Sequence, residues 1–307
     1  APDQAVKILV NSAYGVFGKS STGMVNEWVA GYIAQKTQAI FDDLWARYQP
    51  IYGDTDSMYI ELKGRDPNAL LSEINDYLHK TYGELMEMKL ENIWDLVYIP
   101  RAKGGGPAEK TYIKLRGGEV VIKGGALKPR DLPRGLRYGP YREWVKAILL
   151  GGARLDDLIK GFIARAGVED LFIEYSITFR DLIRTHEGSP IKTIDRTRFP
   201  PIAYLAVLSG KEVTIDVREG KINGESVDLD TFIDVLYLPI ETQGDAKAFA
   251  FLVRGKPVIA VVSIAYDQKQ GLIHARVVNV TEATRQDVEK LSAKVIRESG
   301  LFNHLAP

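Results

Sequence analysis

Not one of the 307 residues is a cysteine, so neither a disulfide nor a thiolate-held zinc can contribute to the fold or its chemistry. No apolar run approaches the length of a bilayer span, and no apolar leader opens the sequence. Both point to an intracellular protein, cytoplasmic or nucleoid-associated, with no membrane partner. Net charge is missing too, with 40 Lys and Arg against 40 Asp and Glu. That neutral total hides an uneven distribution. From Arg101 to Lys146 there are 12 basic residues against 4 acidic ones, while from Lys211 to Pro307 the count is 12 against 14. A basic middle of this kind meets phosphates. Hydrophobic content of 45% and charged content of 26% are ordinary for a globular chain long enough to hold two or more domains.

The most informative stretch is Tyr52-Gly53-Asp54-Thr55-Asp56-Ser57, inside the apolar run Pro50-Ile51 and Met58-Tyr59-Ile60. Gly53 and Asp54 form turns and their neighbours are aromatic or β-branched, which predicts a short hairpin with acids near its tip. In extended chain, side chains two apart share a face, so Asp54 and Asp56 are expected to aim one way. Converging carboxylates repel unless a cation sits between them, and a hard divalent ion such as Mg²⁺ suits such oxygens.

Upstream, the sequence is helical from about Asp3, with Lys7, Asn11 and Tyr14 on one face and Gly15 and Gly18 at its end. A cation, an amide and a ring on one face suit a charged, planar ligand. Ala13 to Ser20 nearly matches a phosphate-binding loop, but a helical pattern precedes it where that loop requires a strand. A long amphipathic helix is expected over Met24–Arg47, and another from the Asp66 cap and Pro67 to Tyr82, stopped by Gly83. Strands are expected at Leu85–Ile93, Leu96–Pro100, Tyr112–Leu115 and Val120–Ile122. Helical stripes follow from Tyr138 to about Ala206, broken at Gly151-Gly152. Then come strands at 213–217, 249–253, 258–265 and 272–278, with turns at Glu219-Gly220 and Asn223-Gly224. A closing helix is capped at Thr284 or Thr281. Gly300-Leu301-Phe302 reads as a fraying terminus.

Lys7-x-x-x-Asn11-Ser12-x-Tyr14-Gly15 followed by Tyr52-Gly53-Asp54-Thr55-Asp56-Ser57 resembles the fingers and palm signatures of family B DNA polymerases. Lys110-Thr111-Tyr112 matches that family's Lys-x-Tyr, which touches primer–template, and Lys123-Gly124 resembles the stretch leading into its thumb. The resemblance implies an α+β palm sheet with covering helices, a helical thumb and an additional β-rich C-terminal domain. Its borders would be 1–22 for a fingers helix, 23–137 for palm, 138–209 for thumb and 210–307 for the last domain. It implies template-directed nucleotidyl transfer through two Mg²⁺ ions (Mn²⁺ a substitute), roughly 3.5–4 Å apart. Asp56 would bridge them and Asp54 would be a ligand or close neighbour. Glu91 loosely matches a further family carboxylate near the metals, and equally reads as a surface strand glutamate. Lys7, Asn11, Tyr14 and Gly15 would meet the incoming dNTP, and Lys110, Tyr112 and Lys123 the DNA.

Two aspartates cannot neutralise two divalent ions, and the family's upstream palm aspartate has no counterpart in these residues. The resemblance therefore implies a chain active only with a large polymerase subunit or N-terminal fragment, one bearing the exonuclease domain and the upstream palm motif. The competing reading is a non-catalytic scaffold of a replication complex.

Overall fold

The computed structural model describes residues 27–54, 56–184, 194–242 and 244–305. Helices and strands are mixed throughout, in two compact units. The first holds the described residues up to Ile93 together with Gly105–Lys110. The second holds Trp94–Gly104 and the described residues from Thr111 onward.

In the first unit, helix α1 (Glu27–Tyr48) runs into the hairpin β1 (Tyr52–Asp54) and β2 (Ser57–Tyr59), and helix α2 (Pro67–Tyr82) follows. The start of α2 is as expected: Asp66 Oδ2 accepts the Ala69 N–H at 2.8 Å, Pro67 opens the first turn, and Gly83 ends the helix at φ 109°. Leu44, Leu70, Ile74 and Leu78 form a small core, against which Met58 and Ile60 pack.

The expected strand at Leu85–Ile93 is absent: Met86 closes a turn onto Gly83, and the segment then runs on outside any sheet. Asn75 explains how. Its side-chain amide donates to the Met88 carbonyl at 3.0 Å and accepts the Met88 N–H at 2.7 Å, giving that backbone the two bonds a neighbouring strand would have supplied. Glu91 thus sits on an exposed irregular segment and not on a strand.

The second unit opens with a three-stranded antiparallel sheet, β3 (Leu96–Tyr98), β4 (Tyr112–Arg116) and β5 (Glu119–Lys123). Short helix α3 (Arg134–Arg137) leads to α4 (Tyr141–Gly151) and α5 (Leu155–Arg165), which Gly152 separates in the left-handed conformation at φ 65°. Next come β6 (Ile173–Thr178), α6 (Phe179–Ile183) and α7 (Phe199–Ser209). The strands β7 (Glu212–Asp216), β8 (Lys221–Ile222), β9 (Glu225–Ser226), β10 (Phe232–Ile240), β11 (Ala246–Val253), β12 (Lys256–Asp267) and β13 (Leu272–Glu282) follow. Helices α8 (Arg285–Glu298) and α9 (Gly300–Leu305) close the described chain.

An eight-stranded sheet in the order β6-β10-β11-β12-β13-β7-β8-β9 is the spine of this unit, all its pairings antiparallel. Strand β11 shows how it is filled. Phe249 and Phe251 point to the face covered by α6 and α7, while Ala250 and Leu252 point to the other. On that other face one core takes in Ile113 and Leu115 of β4, Trp144 and Val145 of α4, Phe162 of α5, Ile296 of α8 and Phe302 of α9. Residues 210–307 therefore do not stand apart from the preceding 70. Strand β6, within the expected helical thumb, pairs along its whole length with β10, and the core runs across 137/138 as well. Nor do Gly300, Leu301 and Phe302 fray: they open helix α9. Leu301 and Phe302 are wholly buried, and Phe302 packs against Trp144 at a ring distance of 5.7 Å.

Candidate functional site: the acidic hairpin and its lysine

The hairpin takes its geometry from three contacts. Tyr52 lies opposite Tyr59 and Asp54 opposite Ser57, with the Tyr52 and Tyr59 rings 5.8 Å apart across the strands. The Ser57 hydroxyl donates to the Asp54 carbonyl at 3.0 Å and closes the turn. Gly53 lets α1 come close: a Cβ there would stand 2.8 Å from the Trp45 ring. So a glycine that reads in sequence as a turn former is also a packing requirement.

Asp54 ends its strand with its side chain only 16% exposed. A carboxylate so sheltered needs a cation, and Lys110 supplies one, its Nζ 3.0 Å from Asp54 Oδ1. The lysine is held from behind. Its backbone N–H donates to the Tyr52 hydroxyl at 2.7 Å, and its φ of 50° puts a non-glycine residue in the left-handed region. Lys110, more than fifty residues away in sequence, thereby meets the hairpin within the first unit.

The other expected site residues divide. Asp56 lies in the turn, exposed, and not in extended strand, so the alternation that would align it with Asp54 does not operate there. Among the described residues no group of three or more Asp, Glu or His stands together as a metal site, and Glu91 does not complete one with the hairpin acids. Asp54 and Asp56 have the oxygen chemistry that Mg²⁺ takes, and a cation already meets Asp54. They fit part of such a site and leave its charge uncompensated without a further acid. Tyr112 and Lys123 face one another across β4 and β5 in the second unit, the ammonium 5.5 Å from the ring centre. Lys7, Asn11, Tyr14 and Gly15 lie outside the described residues.

The sequence reading missed a second polar cluster of the first unit. Asp43 of α1 accepts hydrogen bonds from the hydroxyls of Tyr77 at 2.6 Å and Tyr82 at 2.5 Å, at the two ends of the last turns of α2. The Arg47 guanidinium lies 3.8 Å over the Tyr77 ring. The tyrosine hydroxyls hold the Asp43 carboxyl below the usual carboxylate range, and the same bond pushes the Tyr82 phenol up to about 12. The spacing of Asp43 and Arg47, one helical turn apart, was the available signal.

No family model matches the chain. DNA polymerase 1 of Aeropyrum pernix is 27% identical to it over 135 residues, which are 42% of this chain and 13% of that protein. The DNA polymerase of Thermococcus gorgonarius is 25% identical over 162 residues, 47% of this chain and 21% of that protein. Part of this chain is related to DNA polymerases. It spans only about a fifth or less of the length of these curated relatives. Among the described residues no helix is long and apolar enough to cross a membrane.

Proposed function

We propose that the chain carries the palm hairpin and thumb portion of a family B DNA polymerase and takes part in template-directed nucleotidyl transfer. The observation that supports this most is the pairing of Lys110 with Asp54, because it unites two signatures whose resemblance to that family is independent in sequence. Asp54 and Asp56 would hold Mg²⁺, which when bound activates the primer hydroxyl and neutralises the triphosphate. Lys7, Asn11, Tyr14 and Gly15 are the proposed dNTP contacts, and Lys110, Tyr112 and Lys123 the primer–template contacts.

The missing acid would come from polypeptide beyond these residues, either a large subunit or an N-terminal portion with the exonuclease domain and upstream palm motif. The surface of the first unit supports that need. Its described core has four buried members, yet Trp28 is 76% exposed and Leu85 97%, with Tyr32, Ile33, Trp45, Leu90 and Ile93 about half exposed.

The test is primer extension after mixing the chain with a large polymerase fragment bearing that motif. Extension is expected only from the mixture, and Asp56→Asn is expected to remove at least nine-tenths of the rate, about 1.4 kcal/mol or more. A mixture that binds but extends nothing would favour the scaffold reading, and an undiminished Asp56→Asn rate would refute the metal assignment.

A further inference from the structure

The face of the small sheet turned away from the core carries an ordered alternation of cations and rings, buried at Tyr112, half-buried at Lys114 and Trp94 and open at Arg116. Along β4, Tyr112, Lys114 and Arg116 share that face, while Ile113 and Leu115 on the opposite one enter the core. Lys123 joins them from β5, opposite Tyr112. Trp94, just before β3, stands beside β4 at its Arg116 end. The Arg116 guanidinium is 4.9 Å from the Trp94 ring centre and the Lys114 ammonium 4.4 Å from it. Lys114 is also 5.0 Å from the Tyr112 ring, and Lys123 lies 5.5 Å from that ring in turn. The order along the face is Arg116, Trp94, Lys114, Tyr112, Lys123.

Three cations on one small face repel one another. Glu119, opposite Arg116, pairs with it at 2.9 Å, and the ring quadrupoles offset part of the remaining repulsion. The rings beside the cations give them stiff supports. From Tyr112 to Arg116 the strand covers about 13 Å, which measured along the axis of a B-form duplex is about four phosphates of one strand.

We infer that Lys114 and Arg116, propped by Trp94, form a phosphate-binding ladder for a nucleic-acid strand, extending contact beyond the Lys110-x-Tyr112 signature. The ligand class rests on the polymerase reading; the surface itself does not.

The full chain is titrated with a fluorescent primer–template duplex in EDTA over a range of salt, following anisotropy. Each phosphate contact contributes about −0.9 to the slope of log K against log salt. Lys114→Gln/Arg116→Gln is expected to flatten the slope by about 2 and weaken binding at least tenfold at low salt. Lys211→Gln/Lys256→Gln removes the same charge from exposed positions elsewhere in the unit and is expected to leave the slope unchanged. Trp94→Ala, which keeps all three charges, is expected to weaken binding several-fold, with Trp94→Phe restoring it. An unchanged slope in the Lys114/Arg116 variant, or an equal change in both double variants, would overturn the inference. Primer extension by the mixture is scored separately. A flattened slope with no extension keeps the ladder and refutes the polymerase reading. Extension with an unchanged slope does the reverse.

Discussion

Lys110 reaches strand β1 at two points: its ammonium lies 3.0 Å from the Asp54 carboxylate, and its backbone N–H donates to the hydroxyl of Tyr52, two residues before that aspartate. The lysine accepts a left-handed backbone to do so, a conformation costing roughly 1 kcal/mol or more outside glycine. A strained residue held in place by two bonds to one hairpin has its position specified by that hairpin.

Three substitutions at position 110 separate these contributions. Lys110→Ala keeps the strain and loses the ion pair. It is expected to destabilise the hairpin by about 1 kcal/mol, a modest figure because the ammonium is 66% exposed and screened. Lys110→Gly loses the pair but relieves the strain and should come out close to the parent. Lys110→Glu sets two carboxylates together and should cost most. Amide hydrogen exchange at Ile51, whose N–H donates to the Tyr59 carbonyl at the hairpin base, reads all three. Equal effects of Ala and Gly would show that the left-handed backbone carries no strain.

Gly53→Ala tests the approach of α1. The new Cβ would stand 2.8 Å from the Trp45 ring, so the ring must shift or the strand must move away. Such overpacking typically costs about 1–3 kcal/mol. Trp45→Leu in the same chain opens the space and should recover most of that loss. Thermal melts of the two single variants and the double variant decide it, and an additive double variant would mean the two residues do not meet.

Much of this was legible in the residues. Asp66-Pro67 and Gly83 marked the ends of α2, Asn223-Gly224 marked a tight turn, and Thr284 with Asp287 forms the reciprocal cap of α8. What escaped depended on partners distant in sequence. Strand β10 turns Ile233 and Val235 to one core and Leu236 and Leu238 to the other, so its apolar residues keep no single period, and Pro239 disguises it further. The segment at 85–93 had strand-like residues but pairs with no strand among the described residues, and Asn75 took up the backbone of Met88. At the site, the acids and the lysine were visible singly; that Lys110 meets Asp54 follows only from the folded hairpin.

Alkaline pH should loosen the first unit. The folded Tyr82 phenol is held at about 12, above its ordinary value of 10.0, chiefly by its hydrogen bond to Asp43. A raised folded value means this contribution to stability is complete below pH 10 and is lost as pH climbs through 12. On the acid side Asp43 is lowered by the two tyrosine hydroxyls, so its contribution is present above pH 3.8 and disappears as pH falls through the lower folded value. Absorbance titration at the tyrosinate band should show late-ionising phenols, one of which Tyr82→Phe removes. Tyr237, which burial also pushes to about 12, remains in that variant. Asp43→Asn should let Tyr82 ionise earlier, and a Tyr82 titration unmoved by that change would contradict the assigned cause.

Gly300 decides whether the last helix docks. Its backbone packs so closely on Ala126 that an added Cβ would run into the Ala126 carbonyl oxygen, a backbone atom that cannot rotate aside. The Gly300 N–H also points at Asp131 Oδ2, 3.4 Å away, and burial raises the Asp131 carboxyl. Leu301, Phe302 and Leu305 fill the core that Trp144 and the small sheet share, and the Tyr98 hydroxyl donates to the His304 carbonyl. Gly300→Ala should therefore act as a core lesion and not as a surface change, costing about 2 kcal/mol or more as the helix is displaced. Ser299→Ala at the neighbouring position removes the bond its hydroxyl donates to Ile296 and the one it accepts from the Phe302 N–H, about 1 kcal/mol each, but puts no atom against Ala126, so it should lower stability with little change in Trp144 emission. The readouts are the melting temperature and the fluorescence of Trp144, taken as the difference from Trp144→Phe. Displacement exposes that ring to water and shifts its emission to the red. A Gly300→Ala protein with parental emission and parental stability would mean that the helix can dock without the close approach to Ala126.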